Sequence, residues 1–219
     1  FFMSPPAAPA SRPADTQTDT PRQAERRANI LQIARESFLE DGYAATSMSS
    51  IAAKLGGSKG TLYNYYASKE ELFAAVMTAH CAVARARFES LDVKSGPLEE
   101  RLRRFGEAYL DVVLDEEFLA VHRLVTGESG RFPEIGATFY EAAGKRGKSW
   151  LAVVFAGEME AGVIRGGDPD KAARLFLGLC RSDVHARRAW NVIPKPSREE
   201  IAVLADEAAA FFMAAYRAL

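Results

Sequence analysis

Apolar residues along this chain recur at helical spacing and almost nowhere alternate as they would in a strand. Ile30, Leu31, Ala34 and Phe38 fall on one helix face. Thr20 ahead of Pro21, with Gln23 as capping-box partner, predicts where that helix begins, and Gly42 where it stops. A short second helix is expected over 48–55, capped by Ser47, with Met48, Ile51, Ala52 and Leu55 inward. Gly56 and Gly57 make a tight turn, Ser58 caps a third short helix, and Ser68 with Glu71 opens a fourth, running toward residue 90.

After a break at "VKSGP" the pattern predicts longer helices. They are expected over 97–115 (Leu98, Leu102, Phe105, Tyr109), 116–127 (Phe118, Val121, Leu124), 133–163, 169–190 (Ala172, Leu175, Phe176, Leu179) and 198–217 (Ile201, Leu204, Ala208, Phe211). The expected fold is all-α: an N-terminal three-helix helix-turn-helix unit, then a larger helical body. The expected boundaries are a disordered tail at 1–20, the helix-turn-helix unit at 21–67 and the body at 68–219.

The stretch "GGSKGTLYNYYASKEEL", residues 56–72, carries the candidate chemistry. A nucleotide-binding loop needs lysine after its second glycine and a strand before it. Here Lys59 precedes Gly60, and an alanine-rich helical stretch comes first. Two short helices joined by a glycine turn instead form a helix-turn-helix, whose second helix lies in the major groove of DNA. Ser58 then serves as cap and phosphate donor at a helix N-terminus, and Gly60 lets the helix approach closely. Lys59, Thr61 and Asn64 read the groove, Tyr63 and Tyr65 offer hydroxyls to phosphates, and Lys69 adds a phosphate contact. Ser47, at the start of the preceding helix, is grouped with them. Tyr63 also reads as a core aromatic whose hydroxyl alone is functional.

Composition constrains the remaining classes. The chain has 219 residues and a formal net charge of -1, so no global field announces its partner. Cys81 and Cys180 are too few for a disulfide framework and read as free thiols in a reducing cytoplasm. No apolar run approaches the ~20 residues of a membrane span. His80, His122 and His185 lack metal-ligand spacing, and Ser129 and Ser182 lack a nucleophile-elbow context, so neither a metal, a cofactor nor an enzyme is expected. Arg187 and Arg188 read as surface or interface charges.

The stretch 30–76, "ILQIARESFLEDGYAATSMSSIAAKLGGSKGTLYNYYASKEELFAAV", resembles the DNA-binding domain of tetracycline-repressor (TetR) type regulators. The match includes the Gly-Tyr stop, the Thr-Ser cap, Ser-Lys-Gly-Thr-Leu-Tyr and Ser-Lys-Glu. Gly57 replaces the usual valine and Tyr66 the usual phenylalanine. The body, through "RFPEIGATFYEAA" and "DPDKAARLFLGLCRSDVHARRAW", resembles the AefR-like branch.

The resemblance implies a homodimeric repressor on palindromic double-stranded operator DNA, released by a small apolar or aromatic effector. It implies that the helices at 169–190 and 198–217 pair with their symmetry mates in a four-helix bundle, with Ala172, Ala173, Gly178, Ala208 and Ala209 permitting close approach. The effector site is expected among Phe105, Tyr109, Phe118, His122, Phe139, Tyr140, Trp150 and Phe155, each of which also reads as plain core. The competing functions are an activator or ligand-independent DNA-binding protein, and an all-helical ligand-binding protein or enzyme.

Overall fold

The computed structural model describes residues 20–91 and 95–218, with the side chains of 144–149 left out. The expected tail at 1–20 lies outside the described residues except for Thr20. Helices account for most of the described chain: α1 (Pro21–Ala45), α2 (Met48–Lys54), α3 (Lys59–Tyr63), α4 (Lys69–Glu89), α5 (Leu98–Val113), α6 (Glu116–Glu128), α7 (Pro133–Phe139), α8 (Arg146–Glu160), α9 (Pro169–Arg181), α10 (Val184–Ala189) and α11 (Arg198–Tyr216). A π-helical segment, Tyr140–Lys145, joins α7 to α8.

Helices α1 to α4, α6, α9 and α11 each begin at a capping side chain. Thr20 and Gln23 form a capping box on α1, and Ser197 and Glu200 form one on α11. At α4, Ser68 accepts from the Glu71 amide as expected. The Glu71 carboxylate, however, accepts from Ala67 N at 2.7 Å rather than from Ser68. Gly42, at φ 79°, interrupts α1, but the chain resumes a helical turn and runs on to Ala45.

The largest departure is at Ser182. The helix expected over 169–190 ends at Arg181, because Ser182 takes φ 37° and the chain restarts as α10. That break turns Arg188 inward. Its side chain, expected as a surface or interface charge, is 8% exposed, with Nη2 3.1 Å from Glu116 Oε2 and Nη1 donating to the Ile193 carbonyl at 3.2 Å.

Two apolar clusters organise the molecule. One holds Ile30, Phe38, Tyr43, Ile51, Leu62, Leu72 and Phe73 with Val121, Val125 and Ile135. It packs the α1–α3 unit onto α4, α6 and α7, so α4 belongs to both units. The other holds Leu102, Phe105, Phe155, Phe176, Ala205 and Phe212. In it, α5 crosses α11 closely. A Cβ at Gly106 would lie 3.1 Å from Ala205 Cβ and 3.4 Å from Ala205 Cα, so only glycine fits without movement.

The small residues expected at a dimer seam are mostly internal: Ala172, Ala173, Ala208 and Ala209 belong to this second cluster. The apolar residues left exposed on the same helices are Leu175 and Leu179 of α9 and Val203 and Phe211 of α11, the last 67% exposed. A spacing of four from Leu175 to Leu179, and of eight from Val203 to Phe211, puts each pair on one helix face.

Candidate nucleic-acid interface and cavity

The α2–α3 unit is held by its caps and by its inward side chains, Met48, Ile51 and Ala52 of α2 and Leu62 of α3. Ser47 Oγ accepts from Ser50 N at 3.0 Å, and Ser50 Oγ accepts from Ser47 N at 3.0 Å. Gly56 takes φ +63°, the left-handed turn that ends α2. Ser58 Oγ accepts from Thr61 N at 3.2 Å and lies 2.9 Å from Thr61 Oγ1, so the Thr61 hydroxyl is occupied and its methyl is the group left to present. Leu62 is buried at 1% exposure and anchors α3, while Ser58, Lys59, Gly60, Tyr63 and Asn64 are all exposed. Tyr63 is therefore not a core aromatic: 43% of its surface is open, with Lys59 Nζ 5.7 Å from its ring centroid. Tyr66 is the inward tyrosine, at 4%.

Two expected contacts have other work as well. Tyr65 is half-buried beneath the Arg27 guanidinium, 5.5 Å from its centroid. Lys69 Nζ donates to the Tyr43 carbonyl at 2.8 Å and sits 4.2 Å from the Tyr43 ring centroid, tying α4 to the end of α1.

In the body, a cavity of about 360 Å³ opens between α4, α5, α6, α7 and the α9–α10 break. Six of the expected effector residues line it: Phe105, Tyr109, Phe118, His122, Phe139 and Tyr140. Two do not. Trp150 stacks behind Phe105 at 5.4 Å, and Phe155 is fully buried between Phe176 and Phe212. The cavity also takes Phe88, Arg181 and His185, which helical spacing alone did not single out.

His122 and His185 meet edge-to-face at 4.7 Å. Burial, and then the neighbouring imidazole and the Arg181 charge, push His185 down to about 4; burial, Arg181 and Arg123 lower His122. Both are neutral at physiological pH. Burial pushes the Tyr109 hydroxyl up to about 12 and the Cys81 thiol up to about 11, so neither ionises there.

Comparison with known proteins agrees with this geometry. Residues 30–76 match the family described as bacterial regulatory proteins, tetR family, and residues 100–218 match the AefR-like transcriptional repressor, C-terminal domain. The chain belongs to the TetR family of transcriptional regulators. It is 29% identical over 159 residues to the HTH-type transcriptional regulator YhgD of Bacillus subtilis, covering 71% of this chain and 80% of that one. It is 36% identical over 94 residues to the HTH-type transcriptional activator FasR of Mycolicibacterium smegmatis, covering 41% of each chain. Among solved structures, it resembles a TetR-family regulator from Mesorhizobium loti at TM-score 0.78 and 29% identity, covering 90% of this chain and 100% of that one. It also resembles the flavonoid-responsive regulator FrrA at TM-score 0.80 and 31% identity, covering 89% and 98%.

Two features of this TetR-family chain lay outside the sequence expectations. Arg22 and Arg26, in the first turns of α1, line a groove with Thr61 and Tyr65, which places two cations beside α3. The run "PRQAERR" was the signal that could have found them. A second cavity, of about 410 Å³, lies between α1 and α4 and shares Phe118, Val112 and Ala84 with the first. His80 lies in that wall with its side chain 7% exposed, stacked on Phe118 at 5.2 Å. Its Nδ1 is 3.8 Å from Glu117, which also pairs with Arg35 of α1.

Proposed function

We propose that this regulator is a homodimeric repressor whose α3 helix reads operator DNA and whose aromatic cavity takes the molecule that releases it. The observation that carries the reading is the exposed face of α3, with Lys59, Gly60, Tyr63 and Asn64 outward and Leu62 alone buried. Thr61 and Asn64 are three residues apart, so they share a face and supply base contacts. The Thr61 methyl suits thymine and the Asn64 amide suits adenine. Lys59 reads the groove beside them, while Tyr63, Tyr65, Ser47, Ser58, Arg22 and Arg26 supply phosphate contacts, joined by the Lys69 protons not given to Tyr43.

Two copies pair through Leu175, Leu179, Val203 and Phe211, because a two-fold axis matches the symmetry of a palindromic site. Release follows if the effector favours one arrangement of the two reading heads. The contact chain Phe118–His80–Glu117–Arg35 links the cavity wall to α1. The flavonoid response of FrrA, a full-length structural relative, supports an aromatic effector. The sign of regulation follows the AefR-like repressor match, and the protein acts in the cytoplasm, where its DNA is.

The test is a gel shift on DNA upstream of the protein's own gene, with and without flavonoids and other aromatic compounds. Binding relieved by one of them supports the proposal. Binding that no compound alters favours a ligand-independent regulator, and no binding removes this upstream DNA as the operator.

A further inference from the structure

The polar groups around the aromatic cavity are unbalanced in charge. Its walls are Phe88, Phe105, Phe118 and Phe139, with Leu177 and Val113. Among the described residues, none that lines it is an aspartate or a glutamate, and two are arginines. Arg85 is answered by Glu89 on its own helix at 3.5 Å. Arg181 has no carboxylate partner among the described residues. Two better-buried arginines of the body are matched, Arg101 with Glu158 at 2.7 Å and Arg188 with Glu116 at 3.1 Å, while Arg165 lies over the Tyr216 ring at 4.7 Å. Arg181 is exposed where it lines the cavity, so it leaves a positive potential that acts on a bound ligand at contact while water screens it at longer range.

The neighbours of Arg181 make that end of the cavity rich in donors. His122 and His185 lie against each other there, both on the cavity wall. A neutral imidazole carries one N–H donor, and the Tyr109 hydroxyl is a donor on the same wall. The Thr78 hydroxyl is spent on the Ala74 carbonyl at 2.8 Å, so it does not compete. The break at Ser182 creates this grouping, since it ends α9 at Arg181 and starts α10 just before His185. The volume of about 360 Å³ falls within the roughly 300–1,000 Å³ of small-molecule sites.

We propose that the effector is an aromatic acid, with its rings among Phe88, Phe105, Phe118 and Phe139 and its carboxylate or other anionic group held by Arg181 beside His122 and His185. This rests on the cavity being the effector site. A bland role is available to Arg181, as a cation in the last turn of α9 facing that helix's free carbonyls. That role predicts an effect of substitution on thermal stability and none on which ligand binds.

The probes are biphenyl-4-carboxylate and biphenyl-4-carboxamide, matched in shape and differing in charge, titrated into the full chain by calorimetry at pH 7.5 and one salt concentration. The acid should bind wild type at least about tenfold tighter than the amide, the scale of a charge-assisted hydrogen bond. Arg181→Gln should bring the two to parity by weakening the acid alone, and Arg181→Lys should keep most of the preference. Equal binding, tighter binding of the amide, or a preference that survives Arg181→Gln overturns the proposal. If neither probe binds, the cavity is not an effector site, and both readings fall. If the acid binds through Arg181 but leaves DNA affinity unchanged, the anion site stands and the release mechanism fails.

Discussion

Replacing Gly60 by alanine separates folding from DNA binding at one atom. Gly60 lies inside α3 with ordinary helical backbone, and a Cβ there would have Ser58 Oγ as its nearest neighbour, at 3.8 Å. The chain's own packing therefore does not require glycine. Glycine within a helix costs roughly 0.5–1 kcal/mol relative to alanine, so Gly60→Ala should stabilise the fold by up to about that amount. For a chain of this size, 1 kcal/mol moves Tm by roughly 2–4 °C, so a rise of about 1–3 °C is expected in a circular dichroism melt. Groove docking adds the constraint that folding lacks: a methyl between α3 and the duplex holds them apart. Operator affinity, measured by fluorescence anisotropy, should fall on the order of tenfold, about 1.4 kcal/mol. A more stable protein with undiminished DNA affinity would refute close approach at residue 60. A less stable one would refute the open surroundings of its Cα.

Three further outcomes are expected. Arg26→Ala should weaken binding to operator and unrelated DNA alike and reduce the salt slope by roughly 0.9 per lost contact, about two per dimer; an unchanged slope removes Arg26 from the phosphate set. Phe211→Asp should convert a species of twice the chain mass into a monomer in sedimentation equilibrium, and an intact dimer would place the seam elsewhere. As the folded state holds His80 and His185 near 4 against an unfolded value of 6.5, the unfolded chain binds more protons below pH 6.5. Stability should therefore fall as pH drops from 6.5 toward 4, and His80→Gln with His185→Gln should flatten that slope in urea titrations; an unaltered slope would show that other groups set it.

Features that depend on local sequence were legible. Thr20 with Gln23, Ser47, Ser58 and Ser197 with Glu200 cap helices where expected, since an N-cap is decided by neighbours within one turn. What failed depends on contacts distant in sequence. Nothing in "CRSDVH" breaks a helix by propensity, yet Ser182 does so, and with the break went the placement of Arg181, His185 and Arg188. Trp150 and Phe155 share a helix whose rotation decides what they face, and both joined the core instead of the cavity. Ala172 and Ala209 are small enough for a dimer seam or for close packing within one chain, and composition does not distinguish the two. Lys69 meets Tyr43 across 26 positions, so its tether was invisible in a motif read as phosphate chemistry.

The most direct test of α3 as the reading helix is a pair of titrations of Asn64→Ala against wild type, on a selected operator duplex and on a scrambled one at one salt concentration. Asn64 is exposed and closes α3, and it packs in neither apolar cluster, so folding should be unaffected. The predicted result is a loss of about 1–3 kcal/mol on the operator, the range for a good bidentate base contact, with little change on the scrambled duplex. Equal losses on both would mean that Asn64 positions the protein without reading sequence, and would contradict the placement of α3 in the groove.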